Sequence, residues 1–311
     1  MSEREIVCAD LNAGIEEFRR QGFRLDLIYP ADDPATAVMS NDTEAVRLTM
    51  REGAPAPSDR LPGFSAEFVL TRAGASPGQG RAGMLYRDLI PSRLGGRYIG
   101  SHISIPGGGP VSDWVHYHQI AFQMIYVRKG WVRVVYQDGG EPFVMREGDL
   151  VVQPPGIRHR VLESSPGLEV VEITAPAVHA TFADHQLQLP NGSKPGRIFG
   201  GQRFLHHIAA QAPWTPANGG EAQESEVDVA TSGLAEVRTL RPRGGDALTF
   251  GGHGGELVFG FVLGGSAMLD YRGLHELGPA DAFVIPPGQP WRLASPSEDL
   301  RLLHVATAQL D

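Results

Sequence analysis

Residues 114–174 decide the fold, and they read WVHYHQIAFQMIYVRKGWVRVVYQDGGEPFVMREGDLVVQPPGIRHRVLESSPGLEVVEIT. Runs of β-branched and aromatic residues with a period of two alternate here with the turn signals QDGGE, REGD and PPG. Short alternating stretches separated by Gly, Pro and Asp are typical of antiparallel strands in a barrel or sandwich. The stretch therefore predicts a mainly β domain built from many short strands.

A second region of the chain repeats this pattern of turns in the same order. The matching landmarks are Gly130 with Gly265, Tyr136 with Tyr271, and Pro154-Pro155-Gly156 with Pro286-Pro287-Gly288. The two glycines lie slightly further apart than the two Pro-Pro-Gly turns, as expected if a unit was duplicated and the second copy lost loop residues. We therefore expect two β domains in tandem, at residues 84–185 and 225–311.

Two other segments complete the predicted organisation. Residues 186–224 are polar and rich in Gly, Pro and Ser, which predicts a linker, with a short helix at RFLHHIAAQ. Residues 1–55 predict an α+β extension: DLNAGIEEFRRQGF reads as a helix capped by Asp10 or Asn12, with Gly22 near its end, and strand-like runs follow.

The phrase ADLNAGIEEFRRQGFRL and the strands after it resemble one βαβββ module of the vicinal-oxygen-chelate (glyoxalase-like) superfamily. Such folds usually pair two modules, and residues 1–55 contain only one and no His for a metal. A plain helix-and-hairpin cap on the first barrel is the alternative. In neither case do we expect this extension to be catalytic.

Composition and charge limit the possible partners. The net charge of −9 and the pI near 5.7 argue against general binding to nucleic acid or to an anionic membrane. A small-molecule substrate and copies of the chain itself, in a homo-oligomer, are the expected partners. The lone cysteine, Cys8, permits no intramolecular disulfide, and neither an apolar leader nor a membrane-length apolar run is visible. A cytoplasmic protein is therefore expected.

Three histidines are candidate metal ligands. His116 and His118 are two residues apart in a strand-like run, so both side chains point to the same face. His159, on a separate strand-like run, supplies a third imidazole. Three neutral imidazoles suit a divalent ion such as Fe, Zn, Ni, Mn or Cu, and they leave coordination positions open for substrate, water or oxygen.

These residues resemble the two motifs of the cupin superfamily, G(x)5HxH(x)3–4E(x)6G and G(x)5PxG(x)2H(x)3N. The first motif is matched by His116, His118, Gln123 and Gly130, with Gln in place of Glu, and the second by Gly148, Pro154, Gly156 and His159. Glu163 stands where Asn is usual, and the opening glycine, Gly108 or Gly109, lies too far from His116 by one or two residues. The resemblance implies two tandem double-stranded β-helix (cupin) barrels with a metal site in the first.

The change from Glu to Gln at position 123 bears on mechanism. Gln123 is neutral and cannot act as a general base near neutral pH. Its carbonyl oxygen can still bind the metal or a metal-bound water, so we count it as a candidate ligand and catalytic residue. The alternative is a polar residue inside the barrel whose hydrogen bonds are satisfied by a neighbouring strand.

The second copy has lost most of this set. Alignment of the repeated glycines places Gly251, His253 and Val258 at the positions of His116, His118 and Gln123, and alignment of the prolines places Trp291 at that of His159. One imidazole does not hold such a metal tightly. The second barrel is therefore expected to be degenerate and metal-free.

The chain is similar to bicupin ring-cleaving dioxygenases of the gentisate and hydroxynaphthoate type. This resemblance implies an Fe(II) dioxygenase in which His116, His118, His159 and Gln123 act on a small chelating substrate, either an aromatic hydroxy acid or a diketone. One alternative is a non-catalytic cupin that binds a small ligand or has a regulatory function. Another is a non-redox metal-dependent lyase or isomerase, which needs a base such as His102 or a Tyr. Four other histidines, at positions 179, 185, 206 and 207, are expected to be solvent-exposed.

Overall fold

The structure is a computed structural model that describes residues 3–51, 58, 60–75, 78–79 and 84–310. Parts of the predicted segments 1–55 and 225–311, namely residues 1–2, 52–55 and 311, lie outside the described residues. Within the described ranges, neither helix has the length and apolarity needed to cross a membrane.

The N-terminal extension is a four-stranded sheet with one helix packed on it. Its elements are β1 (Glu3–Val7), α1 (Leu11–Arg20), β2 (Arg24–Tyr29), β3 (Thr36–Ser40) and β4 (Ala45–Thr49). Asp10 caps the helix by accepting a hydrogen bond from the Ala13 amide at 3.0 Å. The strand order is β1-β4-β3-β2, with β1 parallel to β4. The elements thus follow the order βαβββ, while kinship with glyoxalase-like modules stays a prediction.

The first barrel consists of two facing sheets. The strands of this part of the chain are β5 (Val69–Thr71), β6 (Gly78–Gln79), β7 (Leu85–Asp88), β8 (Ile99–Ile105), β9 (Gly109–Pro110), β10 (His116–His118), β11 (Phe122–Lys129), β12 (Trp131–Tyr136), β13 (Phe143–Arg146), β14 (Leu150–Val152), β15 (His159–Ser164), β16 (Leu168–Ala175) and β17 (Thr181–Ala183). One sheet of the barrel has the order β17-β10-β15-β12-β13, with β9 beside β15, and the other contains β14-β11-β16-β8-β7-β6. Because β2 pairs with β17, the sheet of the extension continues the first of these sheets.

The segment 186–224, predicted as a linker, contributes strands to both barrels. Its elements are β18 (Ile198–Phe199), β19 (Gln202–Arg203), β20 (Leu205–His207), a 3-10 turn (Ala209–Gln211), β21 (Thr215–Ala217) and β22 (Gly220–Glu224). The prediction of a short helix within residues 203–211 is wrong for the first half of this segment, which is extended. There β20 pairs with the edge strand β14 and satisfies backbone groups that this edge would otherwise expose.

The second barrel repeats the two-sheet design. Its elements are α2 (Val227–Ala230), β23 (Ala235–Pro242), β24 (Leu248–Phe250), β25 (Val258–Gly264), β26 (Ala267–Asp270), β27 (Leu274–Leu277), β28 (Ala282–Val284), β29 (Trp291–Ala294) and β30 (Arg301–Thr307). Its sheets have the orders β21-β22-β23-β30-β25-β28-β5 and β24-β29-β26-β27. The strand β5 precedes the first barrel in sequence, yet it pairs with β28 of the second.

The two barrels share one apolar core. A single cluster of buried side chains includes Phe122 and Val171 of the first barrel and Phe259 and Leu303 of the second. Beside it, the buried carboxylate of Glu256 accepts hydrogen bonds from the guanidinium of Arg97 at 2.6 and 2.8 Å and from the hydroxyl of Tyr98 at 3.0 Å. The barrels are therefore joined by packing and by a buried ion pair.

The duplication predicted from the turns is visible in the backbone. Gly130 and Gly265 both adopt positive φ, at +81° and +73°. A Cβ on Gly130 would lie 2.3 Å from Ser165 Oγ, and one on Gly265 would lie 2.5 Å from the Leu300 amide nitrogen. Both turns therefore require glycine for the same two reasons, its freedom of φ and its lack of a side chain.

Candidate metal centre

Three imidazoles meet inside the first barrel. His116 and His118 lie on β10, and His159 opens the neighbouring β15, where it pairs directly with His116. All three side chains are buried, and one nitrogen from each lies within 4.8 Å of the others. The ring centroids of His116 and His159 are 4.2 Å apart, and each is 5.2 Å from that of His118. The set is compact enough for the three rings to share one cation.

Hydrogen bonds at the outer nitrogens hold these rings in place. Nδ1 of His116 donates to the carbonyl of Trp114 at 2.8 Å, and Nδ1 of His159 donates to that of Ile157 at 3.1 Å. Nδ1 of His118 is 2.9 Å from Thr181 Oγ1. Since a carbonyl only accepts, Nδ1 of His116 and of His159 carries the proton, and Nε2 is the nitrogen that would coordinate a cation. This tautomer and the all-imidazole donor set fit a divalent transition metal.

A carboxylate stands behind the first of these histidines. The side chain of Asp113 is 5% exposed; its Oδ1 is 3.4 Å from Nδ1 of His116, and its Oδ2 accepts a hydrogen bond from the Val161 amide at 2.9 Å. Such a carboxylate orients a ligand imidazole and increases its basicity. Asp113 was not among the residues predicted from the sequence, because strand periodicity alone places side chains three residues apart on opposite faces.

An apolar cavity of about 100 Å³ opens beside the three histidines. Its wall is formed by Met84, Tyr86, Ile103, Ile105, Ile125, Val132, Val134, Tyr136, Met145, Val151, Gln153, Val161, Leu168, Val170 and Glu172. The ring of Tyr136 stacks on His159 at 5.5 Å, and its hydroxyl accepts a hydrogen bond from Gln153 Nε2 at 2.7 Å. Burial raises the pKa of Tyr136, so its phenol stays protonated.

Gln123 occupies a different position from the three histidines. It lines a smaller, polar cavity of about 40 Å³ that it shares with His118, Glu172 and His179. Its Oε1 is buried and accepts no hydrogen bond from the residues that the structure describes. The small cavity has room for at least one water molecule, which would satisfy this oxygen. A ligand role for Gln123 remains a prediction.

The wall of the small cavity includes residues that were not predicted from the sequence. Ala31 and Asp32 of the N-terminal extension form part of its wall. The expectation that His179 is exposed is wrong: it is buried, and its ring lies 5.4 Å from that of His118. Burial lowers the pKa of His179 to about 4, so the ring is neutral, and Nδ1 donates to the Pro176 carbonyl at 3.1 Å. His179 thus packs against the metal centre as a neutral ring.

Glu172 is the principal residue that sequence reasoning missed. On β16 it follows Leu168 and Val170 at intervals of two, and all three side chains line the apolar cavity. Glu172 also borders the small polar cavity, and its Oε1 accepts a hydrogen bond from Thr174 Oγ1 at 3.1 Å. A carboxylate thus lies in the wall of the site although position 123 carries none.

Aromatic side chains occupy the interior of the second barrel. Trp291 stacks on Phe250 with ring centroids 3.8 Å apart and fills the interior. Nε2 of His253 donates to the Ile285 carbonyl at 3.3 Å. Among the residues that the structure describes, no group of three potential ligands from this barrel meets at one point. The metal-free state of this barrel stays a prediction.

Comparison with known proteins identifies the fold. Residues 101–174 match the model of the Cupin domain family. The first barrel therefore contains a match to the Cupin domain, and the chain has the fold of two tandem cupin barrels (the bicupin fold) that the sequence predicted. No curated protein matches its sequence.

Solved structures show the same two-barrel arrangement at low sequence identity. A tryptophan-to-phenylalanine variant of Bacillus subtilis oxalate decarboxylase superposes with a TM-score of 0.56 at 11% identity, covering 85% of this chain and 81% of that one. Salicylate 1,2-dioxygenase from Pseudaminobacter salicylatoxidans gives 0.57 at 18% identity, with 79% and 86% covered. Oxalate decarboxylase from Lactobacillus farciminis, in complex with formate, gives 0.56 at 13%, with 83% and 88% covered. At these identities the likeness establishes the fold and leaves the reaction open.

Proposed function

We propose that this bicupin is a metal-dependent enzyme with its centre at His116, His118 and His159, and that it is an Fe(II) dioxygenase of a small chelating substrate. The observation that carries the proposal is the convergence of three buried imidazoles within 4.8 Å beside a cavity. Salicylate 1,2-dioxygenase, which shares the fold, is consistent with this reaction class. Other divalent ions remain candidates, since Bacillus subtilis oxalate decarboxylase, which also shares the fold, has Mn(II) centres.

In such an enzyme, different residues of the first barrel would hold the metal, orient its ligands and exclude water. The three histidines would hold the cation, and the Trp114 carbonyl together with the nearby Asp113 carboxylate would fix the orientation of the His116 ring. A ferrous ion, when bound, supplies electron transfer between a chelated substrate and dioxygen. The apolar wall excludes water from the reacting molecule, and Tyr136 keeps the ring of His159 in place by stacking.

Glu172 favours a second candidate, a non-redox lyase or isomerase that uses the metal as a Lewis acid. The sequence analysis required a base other than Gln123 for this chemistry and named His102 or a Tyr. His102 does not line the cavity: its Nε2 pairs with Glu169 at 2.9 Å on the other face of β16. Glu172 does line it and is the better candidate to accept a proton.

Metal analysis and oxygen consumption test the proposal together. Protein purified without chelator is expected to contain about one metal ion per chain, and His159→Ala should lose most of it. His275→Ala, in the second barrel, is the matched control and should retain the metal. Oxygen uptake on Fe(II)-loaded protein with a panel of diketones and hydroxylated aromatic acids then identifies an oxygenase.

Three outcomes separate the candidate functions. Oxygen uptake with any member of the panel supports the dioxygenase. Metal without oxygen uptake, but with turnover that Glu172→Gln abolishes, supports the lyase or isomerase. A metal content in His159→Ala equal to that of the wild type contradicts both candidates.

A further inference from the structure

We infer that the chain has a second ligand site, separate from the three histidines, which takes an organic monoanion with an apolar body. The site is a cavity of about 380 Å³, here called the outer cavity, where the segment 186–224 meets both barrels. Its wall combines the turn at residues 137–139 of the first barrel with residues between 193 and 205 and between 226 and 230. The inference is independent of the proposed function, because it requires neither a bound metal nor turnover.

Positive charge is concentrated in the segment that forms most of this wall. Residues 185–220 contain no Asp or Glu, although the chain has 36 acidic residues and a net charge of −9. Three cations of this segment line the outer cavity, namely Lys194, Arg197 and Arg203. The carboxylates of Asp138 and Glu226 line it as well, so the described lining side chains carry one net positive charge. A ligand with a single negative charge would balance it.

The buried Asp138 fixes the shape of this wall. Its side chain is 2% exposed; Oδ2 pairs with the guanidinium of Arg197, and Oδ1 is 3.6 Å from Lys194 Nζ. Asn191 Oδ1 accepts a hydrogen bond from the Asp138 amide at 2.7 Å, and its Nδ2 donates to Asp138 Oδ1 at 3.1 Å. The Lys194 amide donates to the Asp138 carbonyl at 2.8 Å. The wall is thus formed without a ligand, which lowers the entropy that binding costs.

Arg203 is the cation with donors to spare for a ligand. Its Nη2 donates to the Val229 carbonyl at 3.3 Å, and it forms no ion pair with a carboxylate of the described residues. A guanidinium has five N–H donors in a planar fork that matches the two oxygens of a carboxylate. One of these donors anchors the side chain at the edge of the outer cavity, and the others can bind an oxyanion inside it.

Apolar side chains provide the other half of the recognition. Phe199, Phe204, Leu205 and Val229 line the outer cavity, and Val229 is 57% exposed. Apolar side chains around a few polar groups are typical of small-molecule sites. An apolar cavity of roughly 150 Å³ holds one benzene molecule, so the larger outer cavity has room for a ring together with a charged side chain. The ligand class is therefore an organic acid with an apolar body.

Two aromatic rings separate the outer cavity from the metal centre. Phe204 lines the outer cavity, and its ring centroid is 4.4 Å from that of Tyr136. Tyr136 lines the cavity beside the three histidines and stacks on His159. A ligand in the outer cavity would therefore rest on Phe204 without contact to the three histidines.

Three probes test the two halves of this recognition by calorimetry on the full chain. 3-Phenylpropanoate and 3-phenylpropanamide have the same number of heavy atoms and differ in charge, so the acid should bind at least about fivefold more tightly. Acetate has the same charged group without the apolar body and should bind at least about tenfold more weakly than 3-phenylpropanoate. Added salt should weaken binding of the acid and leave that of the amide unchanged.

Three variants locate the bound probe. Arg203→Gln removes a cation without leaving a buried carboxylate unpaired, and it should weaken binding of 3-phenylpropanoate about three- to tenfold. Arg292→Gln makes the same change in net charge on β29, where Arg292 pairs with Asp270 at 2.7 Å, and should leave the affinity unchanged. His159→Ala should also bind the probe as the wild type does, because the outer cavity does not include the metal centre. Circular dichroism verifies that each variant is folded.

Several results would overturn the inference. These are no binding of 3-phenylpropanoate, equal affinity for the acid and the amide, equal affinity for the acid and acetate, or an unchanged affinity in Arg203→Gln. Loss of binding in His159→Ala would place the probe at the metal centre and would also overturn it. None of these results bears on the proposed function, which fails instead if His159→Ala retains the metal.

Discussion

Removal of the carboxylate of Glu256 should destabilise the whole chain. Glu256→Ala would leave the guanidinium of Arg97 buried without its counter-ion, since the two side chains are 9% and 6% exposed. Breaking a buried ion pair from one side costs about 3–5 kcal/mol. Arg97 keeps hydrogen bonds to the carbonyl oxygens of Pro62 and Leu310, so we expect the lower end, about 3 kcal/mol.

The contribution of this pair should depend on pH. Burial raises the pKa of the Glu256 carboxyl, but hydrogen bonds from Arg97 and Tyr98 outweigh it and hold the pKa below its ordinary value. The unfolded chain therefore binds the proton more readily than the native one does. The stabilisation is present at neutral pH and is lost as the pH falls below about 4.3 toward the lowered native value. The difference in unfolding free energy between the wild type and Glu256→Ala should therefore be smaller at pH 4 than at pH 7.

Urea denaturation, followed by both far-UV circular dichroism and tryptophan fluorescence, measures the effect at pH 7 and pH 4. The double variant Arg97→Met with Glu256→Leu is the control, because it removes both charges and should be more stable than Glu256→Ala alone. If Glu256→Ala is destabilised by less than about 1 kcal/mol, or if the double variant is the less stable of the two, the buried pair does not hold the two barrels together.

Three further variants test other parts of the structure. Asp113→Asn should weaken metal affinity about 10- to 100-fold without unfolding the barrel, as titration with a chelator would show, and unchanged affinity would contradict its orienting role. Gly130→Ala should cost roughly 1–3 kcal/mol in urea denaturation, because the residue has φ of +81° and its Cβ would meet Ser165, and a neutral result would refute the strain. Trp291→Ala should cost about 3–5 kcal/mol by opening a cavity in the second barrel while leaving metal content unchanged, so a loss of metal would show that the two interiors are coupled.

Features that depend only on residues close together in the sequence could be predicted from it. His116 and His118 share a face because strand side chains alternate, and the turns around Gly130 and Pro154 have spacings that identify the cupin barrel. The same kind of local rule limited the helix cap to Asp10 or Asn12, and Asp10 is the cap in the structure. These predictions needed no knowledge of which strands pair.

Residues that reach the site through strand pairing were harder to find. Glu172 lies beside Ile125 and Ser101 in the sheet, and neither neighbour is close to it in sequence. Its position in the apolar series Leu168, Val170, Glu172 was the available signal, since a charged residue in a buried series marks a polar contact inside the barrel. His179 was misjudged because its burial depends on β17 and on the extension packed beside it.

The position of β5 in the sequence delays its pairing while the chain is being synthesised. Thr71 pairs with Ala282, so this strand leaves the ribosome more than two hundred residues before its partner. At about 5–20 residues per second, the delay is roughly 10 to 40 s. A fragment cut after the first barrel would leave β5 without its partner, and a fragment starting at residue 225 would lack both β5 and the strands β21 and β22. The two barrels therefore do not correspond to separable halves of the chain. A chimera with another two-barrel cupin should fold only when β5 and the strands β21 and β22 come from the same parent as the strands with which they pair.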